Sequence, residues 1–183
     1  MTTAAIFCSS SEKVDPAFLE EARKIGQALG KAGIGLVFGG TNFGMMREVA
    51  SGARDSGGTV TGYVPELFRG SGRIYPNLDR TVFCRDLSDR KAGMIGEADV
   101  LVALPGGIGT LDEAFSAMAG HVLGYHRKKI IFYNFRGFWT PLISFLMEVD
   151  RQGFVKQQGR ESWLAADSPE GLVRLIATET ASK

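Results

Sequence analysis

A chain of 183 residues with 44% hydrophobic and 22% charged content can bury roughly 70% of its unfolded surface in one globular unit and leaves little room for a second. Its 21 basic and 20 acidic residues leave a formal net charge of +1, which excludes a long-range field that would gather nucleic acid or an anionic membrane, so any anion must be held locally. Cys8 and Cys84 are too few for a disulfide scaffold, and the apolar stretch 4–8 is too short for a signal-peptide core or a membrane span, so a soluble cytoplasmic protein is expected.

Along the chain, apolar runs at 4–8, 34–38, 59–64, 81–84, 100–104 and 130–133 are short and continuous, the pattern of strands buried on both faces. Amphipathic segments separate them. The first helix covers 16–31, where Asp15 can cap and Pro16 suits the first helical position. Further helices cover about 44–55, 90–97, 111–125 and 138–151. Residues 163–165 read as a short edge strand, and Ser168-Pro169-Glu170 opens a last helix through Ile176. Strand and helix alternate almost throughout. The expected fold over residues 1–183 is therefore a single α/β domain, a doubly wound, mostly parallel sheet with helices on both faces and right-handed crossovers.

In such a sheet, ligands bind outside the carboxyl ends of the strands, where helix N-terminal amides face the crevice. Two glycine-rich turns fall there: Gly39-Gly40-Thr41-Asn42-Phe43-Gly44 after Phe38, and Pro105-Gly106-Gly107-Ile108-Gly109-Thr110 after Leu104. Each alone is equally consistent with a tight strand-to-helix turn, since glycine adopts positive φ at little cost. Two in one small domain point to a phosphorylated nucleotide held between them. The first turn departs from a dinucleotide fingerprint, because Thr41 stands where a second glycine would admit the pyrophosphate and because it follows the second strand. Neither ends in the Gly-Lys-Ser/Thr of a P-loop, so nothing signals triphosphate hydrolysis.

Thr110-Leu111-Asp112-Glu113 spells a capping box, in which Thr110 caps a helix and Glu113 reaches back to the Thr110 amide. Alternatively, the Glu113 carboxylate sits at a helix N-terminus with a lowered pKa and stays ionised beside the sugar of a bound phosphate ester. Both roles stay open. Arg90-Lys91 begins the helix after the Cys84 strand, either as ordinary solvated charges or, since cations are disfavoured at a helix N-terminus, to meet an anion. His121 and His126 are five apart, which does not place them on one helical face as a metal pair, and no metal is expected. Cys8 and Cys84 have no His or Lys near in sequence to activate a thiolate, so both are expected to be buried structural residues.

Arg90-Lys91 followed by Pro105-Gly106-Gly107-Ile108-Gly109-Thr110-Leu111-Asp112-Glu113 resembles the Arg-Lys and PGGxGTxxE motifs of the LONELY GUY family, long labelled possible lysine decarboxylases. The likeness extends from Cys8-Ser9-Ser10-Ser11 through the Gly39 turn to Gly137-Phe138. The family hydrolyses the N-glycosidic bond of nucleoside 5′-monophosphates, including cytokinin riboside monophosphates. The resemblance implies a Rossmann-like fold, a homodimer, release of a free base with ribose 5-phosphate, no bound cofactor, and catalytic roles for Arg90 and Glu113. An ionised Glu113 suits an oxocarbenium-like ribose and an attacking water, while Arg90 can anchor phosphate or stabilise the departing base but is a poor proton donor. The expected substrate-binding residues are Lys91, Gly106, Gly107, Ile108, Gly109, Thr110, Leu111 and Asp112, with Gly39, Gly40 and Thr41 on the opposite wall.

Several positions depart from the family pattern. Gly39-Gly40-Thr41 replaces three glycines, Leu87-Ser88 replaces Met-His, and Ala119-Gly120-His121-Val122 replaces Thr-Trp-Ala-Gln before Leu123-Gly124. A substrate glutamate upstream of Arg-Lys has no counterpart in 70–77. With fewer polar partners the base is less tightly specified, which favours AMP or another monophosphate over a cytokinin. Two other functions remain: a non-catalytic carrier such as the molybdenum-cofactor carriers, which would not need Arg90 with Glu113, and a dinucleotide-dependent oxidoreductase, in which Glu66 would bind ribose about 20 residues beyond the turn. The helix at 111–125 carries Leu, Phe, Met, Val and Tyr on more than one face, which suggests a homodimer.

Overall fold

The structure, a computed structural model, describes residues 1–181. Among these, seven strands form one sheet: β1 (Thr3–Phe7), β2 (Gly35–Phe38), β3 (Val60–Pro65), β4 (Arg80–Cys84), β5 (Val100–Ala103), β6 (Ile130–Tyr133) and β7 (Trp163–Ala166). Their order is β4-β3-β2-β1-β5-β6-β7, and every pairing is parallel. The chain winds outward from β1 to β4, returns to the centre, and winds the other way from β5 to β7. The strand order therefore reverses between β1 and β5, where Ile6 stands beside Phe38 on one side and Val102 on the other. Doubly wound sheets open a crevice at the carboxyl ends of the strands flanking such a reversal.

Alternation along the strands builds two cores. Ala4, Ile6, Leu36, Phe38, Val100 and Val102 point to one face, where Ile25 and Leu29 of α1 (Pro16–Lys31), Met45 and Val49 of α2 (Gly44–Asp55), and Leu172 and Ile176 of α7 (Pro169–Ala181) cover them. Ala5, Phe7, Val37, Leu101 and Ala103 point to the other, beneath Met94 of α3 (Leu87–Glu97) and Ala114 and Ala117 of α4 (Ile108–Val122). Trp139, before α5 (Thr140–Arg151), joins that second core and donates its indole N–H to the Ala103 carbonyl. Strands buried on both faces must be apolar at every position, which is why the runs read as continuous rather than alternating.

The expected α/β fold is the observed one, and boundaries moved where caps decide them. Asp15 accepts from the Ala17 amide and Pro16 opens α1, as expected. α3 begins at Leu87 rather than Arg90 because the Asp86 carboxylate accepts from the Asp89 amide at 2.8 Å. α4 ends at Val122 rather than Tyr125, because Gly124 turns left-handed (φ 78°) and the Tyr125 amide bonds back to Gly120. The helix expected from 138 begins at Thr140, after a 3-10 turn at Phe135–Gly137 in which Arg136 has φ 52°. A polar helix, α6 (Gln157–Glu161), was not expected, since it has no apolar periodicity to announce it. No helix among the described residues is long and apolar enough to cross a membrane.

Candidate active site

A cavity of about 430 Å³ opens at the carboxyl end of the sheet, over the reversal between β1 and β5. Its polar lining comes from the loop after β1 (Ser9, Ser10, Ser11), from the first glycine-rich turn (Gly39, Thr41), and from the second turn and start of α4 (Gly107, Gly109, Thr110). Met46, Pro65, Phe68 and Leu87 supply an apolar side. Arg90 and Glu113 both line it.

Both turns are held in place. Gly40 takes φ 71°, and its carbonyl accepts from the Tyr75 amide at 2.9 Å while Asn42 N–H donates to Arg73, so the segment 73–75 straps the first turn. In the second turn, a Cβ on Gly106 would stand 2.1 Å from Thr110 Oγ1, so only glycine lets the turn close over that buried threonine. The Ser9 amide reaches the Pro105 carbonyl and ties this turn to β1. α4 begins here with Gly107 as its cap. Its first-turn amides, which lack partners within the helix, and the positive end of its dipole suit this end to an anion.

Glu113 does not cap its helix. Thr110 lies inside α4, and the Glu113 carboxylate accepts instead from Arg90 Nη1 at 2.8 Å, with the two side chains only 6% and 11% exposed. The capping box fails because the helix starts a turn earlier than the motif suggests. Arg90 also donates from Nε to the Tyr63 carbonyl at 2.9 Å, which fixes the guanidinium against β3. The expected lowered pKa of Glu113 is reversed as well. Burial pushes this carboxyl above the ordinary glutamate value of 4.5, Arg90 pulls it back, Asp112 adds to the rise and Lys91 opposes it.

Of the expected substrate-binding residues, Gly39, Thr41, Gly107, Gly109 and Thr110 meet Arg90 and Glu113 in the cavity lining, and Gly40 and Gly106 shape the turns behind them. Four others lie elsewhere. Lys91 Nζ donates to both Asp112 carboxylate oxygens at 2.7 and 2.8 Å and to Ser116, off the cavity. Ile108 is 82% exposed, and Leu111 packs into the second core. Glu66, the ribose partner an oxidoreductase would need, forms an exposed ion pair with Arg69 and does not line the cavity.

Both cysteines are buried, as expected. Cys8 nonetheless lines the cavity floor, where burial, reinforced by the Glu113 carboxylate, pushes its thiol far up. Burial likewise raises the Cys84 thiol. Neither is poised as a thiolate.

The family model described as "Possible lysine decarboxylase" matches residues 46–176, most of the chain. The chain belongs to this family, the LONELY GUY family. Within it, a cytokinin riboside 5′-monophosphate phosphoribohydrolase of Rhodococcoides fascians is 30% identical over 175 residues, spanning 95% of this chain and 88% of that one. One from Arabidopsis thaliana is 31% identical over 171 residues, spanning 93% and 79%. Among solved structures, the molybdenum cofactor carrier protein of Chlamydomonas reinhardtii matches with a TM-score of 0.77 at 20% identity, covering 99% of each chain. The molybdenum cofactor binding protein of Rippkaea orientalis gives 0.75 at 22%, covering 97% and 96%. At such identities these two likenesses are of fold alone.

The sequence did not single out the loop Ser9-Ser10-Ser11 or the apolar side as lining this cavity. A signal for both was available. Ser9 follows β1, one of the two strands at the reversal, Pro65 ends β3 and Phe68 follows it, so the rule that ligands sit at strand carboxyl ends covers them.

Proposed function

We propose that this protein hydrolyses the N-glycosidic bond of nucleoside 5′-monophosphates, releasing a free base and ribose 5-phosphate. The observation that carries this is the buried Arg90–Glu113 pair lining a cavity between two glycine-rich turns. The 5′-phosphate docks at the amides that begin α4, around Gly107, Gly109 and Thr110, with the hydroxyl of Thr110 and the wall at Gly39 and Thr41 closing the site. Departure of the base with the bonding electron pair leaves positive charge on the ribose. The Glu113 carboxylate stabilises that charge and takes a proton from the water that adds at C1′. Arg90 holds the carboxylate ionised and in place, and solvent protonates the leaving base. No cofactor takes part.

The base meets Pro65, Phe68 and Leu87, which offer contact and few hydrogen bonds. Such a wall discriminates weakly between bases, so AMP serves as a substrate beside cytokinin riboside monophosphates. The homologues' names support the phosphoribohydrolase chemistry; the choice of AMP rests on the lining alone. The reaction occurs in the cytoplasm, with no nucleic acid or membrane partner.

The protein acts as a homodimer. A second, apolar groove of about 500 Å³ runs between α4, α5 and α6, where Phe115, Met147 and Phe154 are 39%, 63% and 78% exposed. Apolar surface of this kind in a soluble protein marks an interface, and a second copy of this chain is its occupant. Light scattering at micromolar concentration should give twice the 19.7 kDa chain mass; a monomer mass would count against it.

The test of function is to incubate the protein with AMP and isopentenyladenosine monophosphate and follow free base and ribose 5-phosphate by chromatography. Base release is expected from both. Saturable binding of AMP without release would favour a carrier and remove the hydrolase assignment.

A further inference from the structure

Glycine occupies position 39 for a reason its backbone does not supply. Its neighbour Gly40 needs φ 71°, whereas Gly39 lies outside the left-handed region, where any residue fits. What excludes a side chain is space: a Cβ on Gly39 would stand 1.8 Å from Arg90 Nη2 and 3.0 Å from Met46 Cε. Carbon contacts settle at about 3.5 Å or more, so a single methyl would evict the guanidinium from where it sits.

We infer that Gly39 is a positioning residue for the reaction: the space left by its missing side chain is the seat that holds the Arg90 guanidinium against Glu113. This rests on the hydrolase proposed above.

The other sides of the guanidinium are fixed. Nε donates to the Tyr63 carbonyl at 2.9 Å and Nη1 to Glu113 at 2.8 Å. Tyr63 cannot step aside either. Its ring occupies the place a Cβ on Gly93 would take, 2.3 Å away, and its hydroxyl donates to Glu97 at 2.5 Å. Residues 90, 93 and 97 therefore clamp one tyrosine along one face of α3, and with Nε and Nη1 both bonded, Nη2 fills the space over Gly39, so a group placed there can only push the Arg90 head group out toward the cavity. The groups that face Glu113 are Arg90 and Lys91 from α3, Asp112 from its own helix and the protonated Cys8 just after β1. Of the two cations, only Arg90 bonds it directly. Displacing Arg90 leaves the effect of burial less opposed, so Glu113 holds its proton to higher pH.

The experiment compares wild type, Gly39→Ala, Arg90→Lys and the double variant. Two readouts are followed: adenine release from AMP across pH, and titration of the Glu113 carboxyl by ¹³C NMR with labelled glutamate. In Gly39→Ala, adenine release should fall about 100-fold, the scale of loss for a misplacement of about 1 Å. Both the acid limb of kcat and the Glu113 titration should move to higher pH. Lysine has no Nη2 branch, so in the Arg90→Lys background the added methyl should leave the Glu113 titration where Arg90→Lys alone puts it. An unchanged titration in Gly39→Ala, or a rise in KM with kcat and pH profile intact, would overturn the inference and leave Gly39 as no more than a wall for substrate. Should Gly39→Ala not fold, the double variant folding where it fails supports the seat, and both failing contradicts it. If wild type releases no base, the hydrolase proposal falls, while the carboxyl titration still decides the role of Gly39.

Discussion

Two ion pairs join α3 to α4 side by side, formed by consecutive residues on each helix. Arg90 binds Glu113 and Lys91 binds Asp112, with nearly equal distances of 2.8 and 2.7 Å. Their surroundings differ. Arg90 and Glu113 are 11% and 6% exposed over the cavity, while Lys91 and Asp112 are 19% and 48% exposed beside it. Neighbours on a helix point about 100° apart, so one step along the chain carries a charge from the buried face to the solvated one. The same chemistry thus serves different ends. Half-exposed, the Lys91–Asp112 pair is a largely screened contact of little worth, and out of water the Arg90–Glu113 pair bears on the charge state of a carboxyl that lines the cavity.

The comparison can be sharpened by breaking each pair in turn. Arg90→Ala is expected to have the largest effect, lowering adenine release from AMP by more than about 100-fold, as loss of a preorganised charge partner does. It should also cost about 3 kcal/mol of stability in urea unfolding, because a buried carboxylate is left without its cation. Retention of wild-type rate would remove Arg90 from the chemistry.

A second expected effect is on the pH profile of wild type. Burial holds Glu113 above the ordinary value of 4.5, and the proposed hydrolysis uses the carboxylate, so kcat should fall with decreasing pH along a limb that lies above the ordinary glutamate range. In Arg90→Lys, which retains a cation but loses the fork, the limb should lie higher still.

Stability carries the same sign information. A carboxyl whose pKa is raised by folding binds its proton more tightly in the native state, so stability is lost as pH rises from 4.5 through the folded value. Chemical denaturation of wild type and Glu113→Gln at several pH values should show that contribution as the difference between their slopes, with the other carboxylates common to both; identical slopes would mean that Glu113 titrates as if solvated.

Lys91→Ala should do least. Stability should change by less than about 1 kcal/mol, and adenine release should stay within about twofold, since the half-exposed pair stands off the cavity. A loss as deep as that of Arg90→Ala would restore Lys91 to the site.

Much of the fold was legible because period and punctuation agreed. Continuous apolar runs marked the strands, Asp15-Pro16 marked the start of α1, and the glycine-rich turns fell at strand carboxyl ends as parallel topology demands. The site was less legible where helix phase mattered. Thr110 to Glu113 fits a capping box letter by letter, yet Gly107 caps the helix and turns Glu113 inward to Arg90. A local motif cannot report a partner 23 residues away, nor can it separate Lys91 from Arg90 until the start of α3 is fixed by Asp86. The apolar side of the cavity, with Pro65 and Phe68, is legible only through topology, since these residues lie at and just beyond the carboxyl end of β3 and carry no local motif.

The most direct test sets the inner and outer carboxylates against each other: AMP is offered to wild type, Glu113→Gln and Asp112→Asn, and adenine and ribose 5-phosphate are measured. Wild type and Asp112→Asn should release adenine at rates within about twofold of each other, as expected for a solvent-screened charge, and Glu113→Gln should bind AMP without releasing it. Equal release by all three proteins would contradict the assignment of the chemistry to the buried pair.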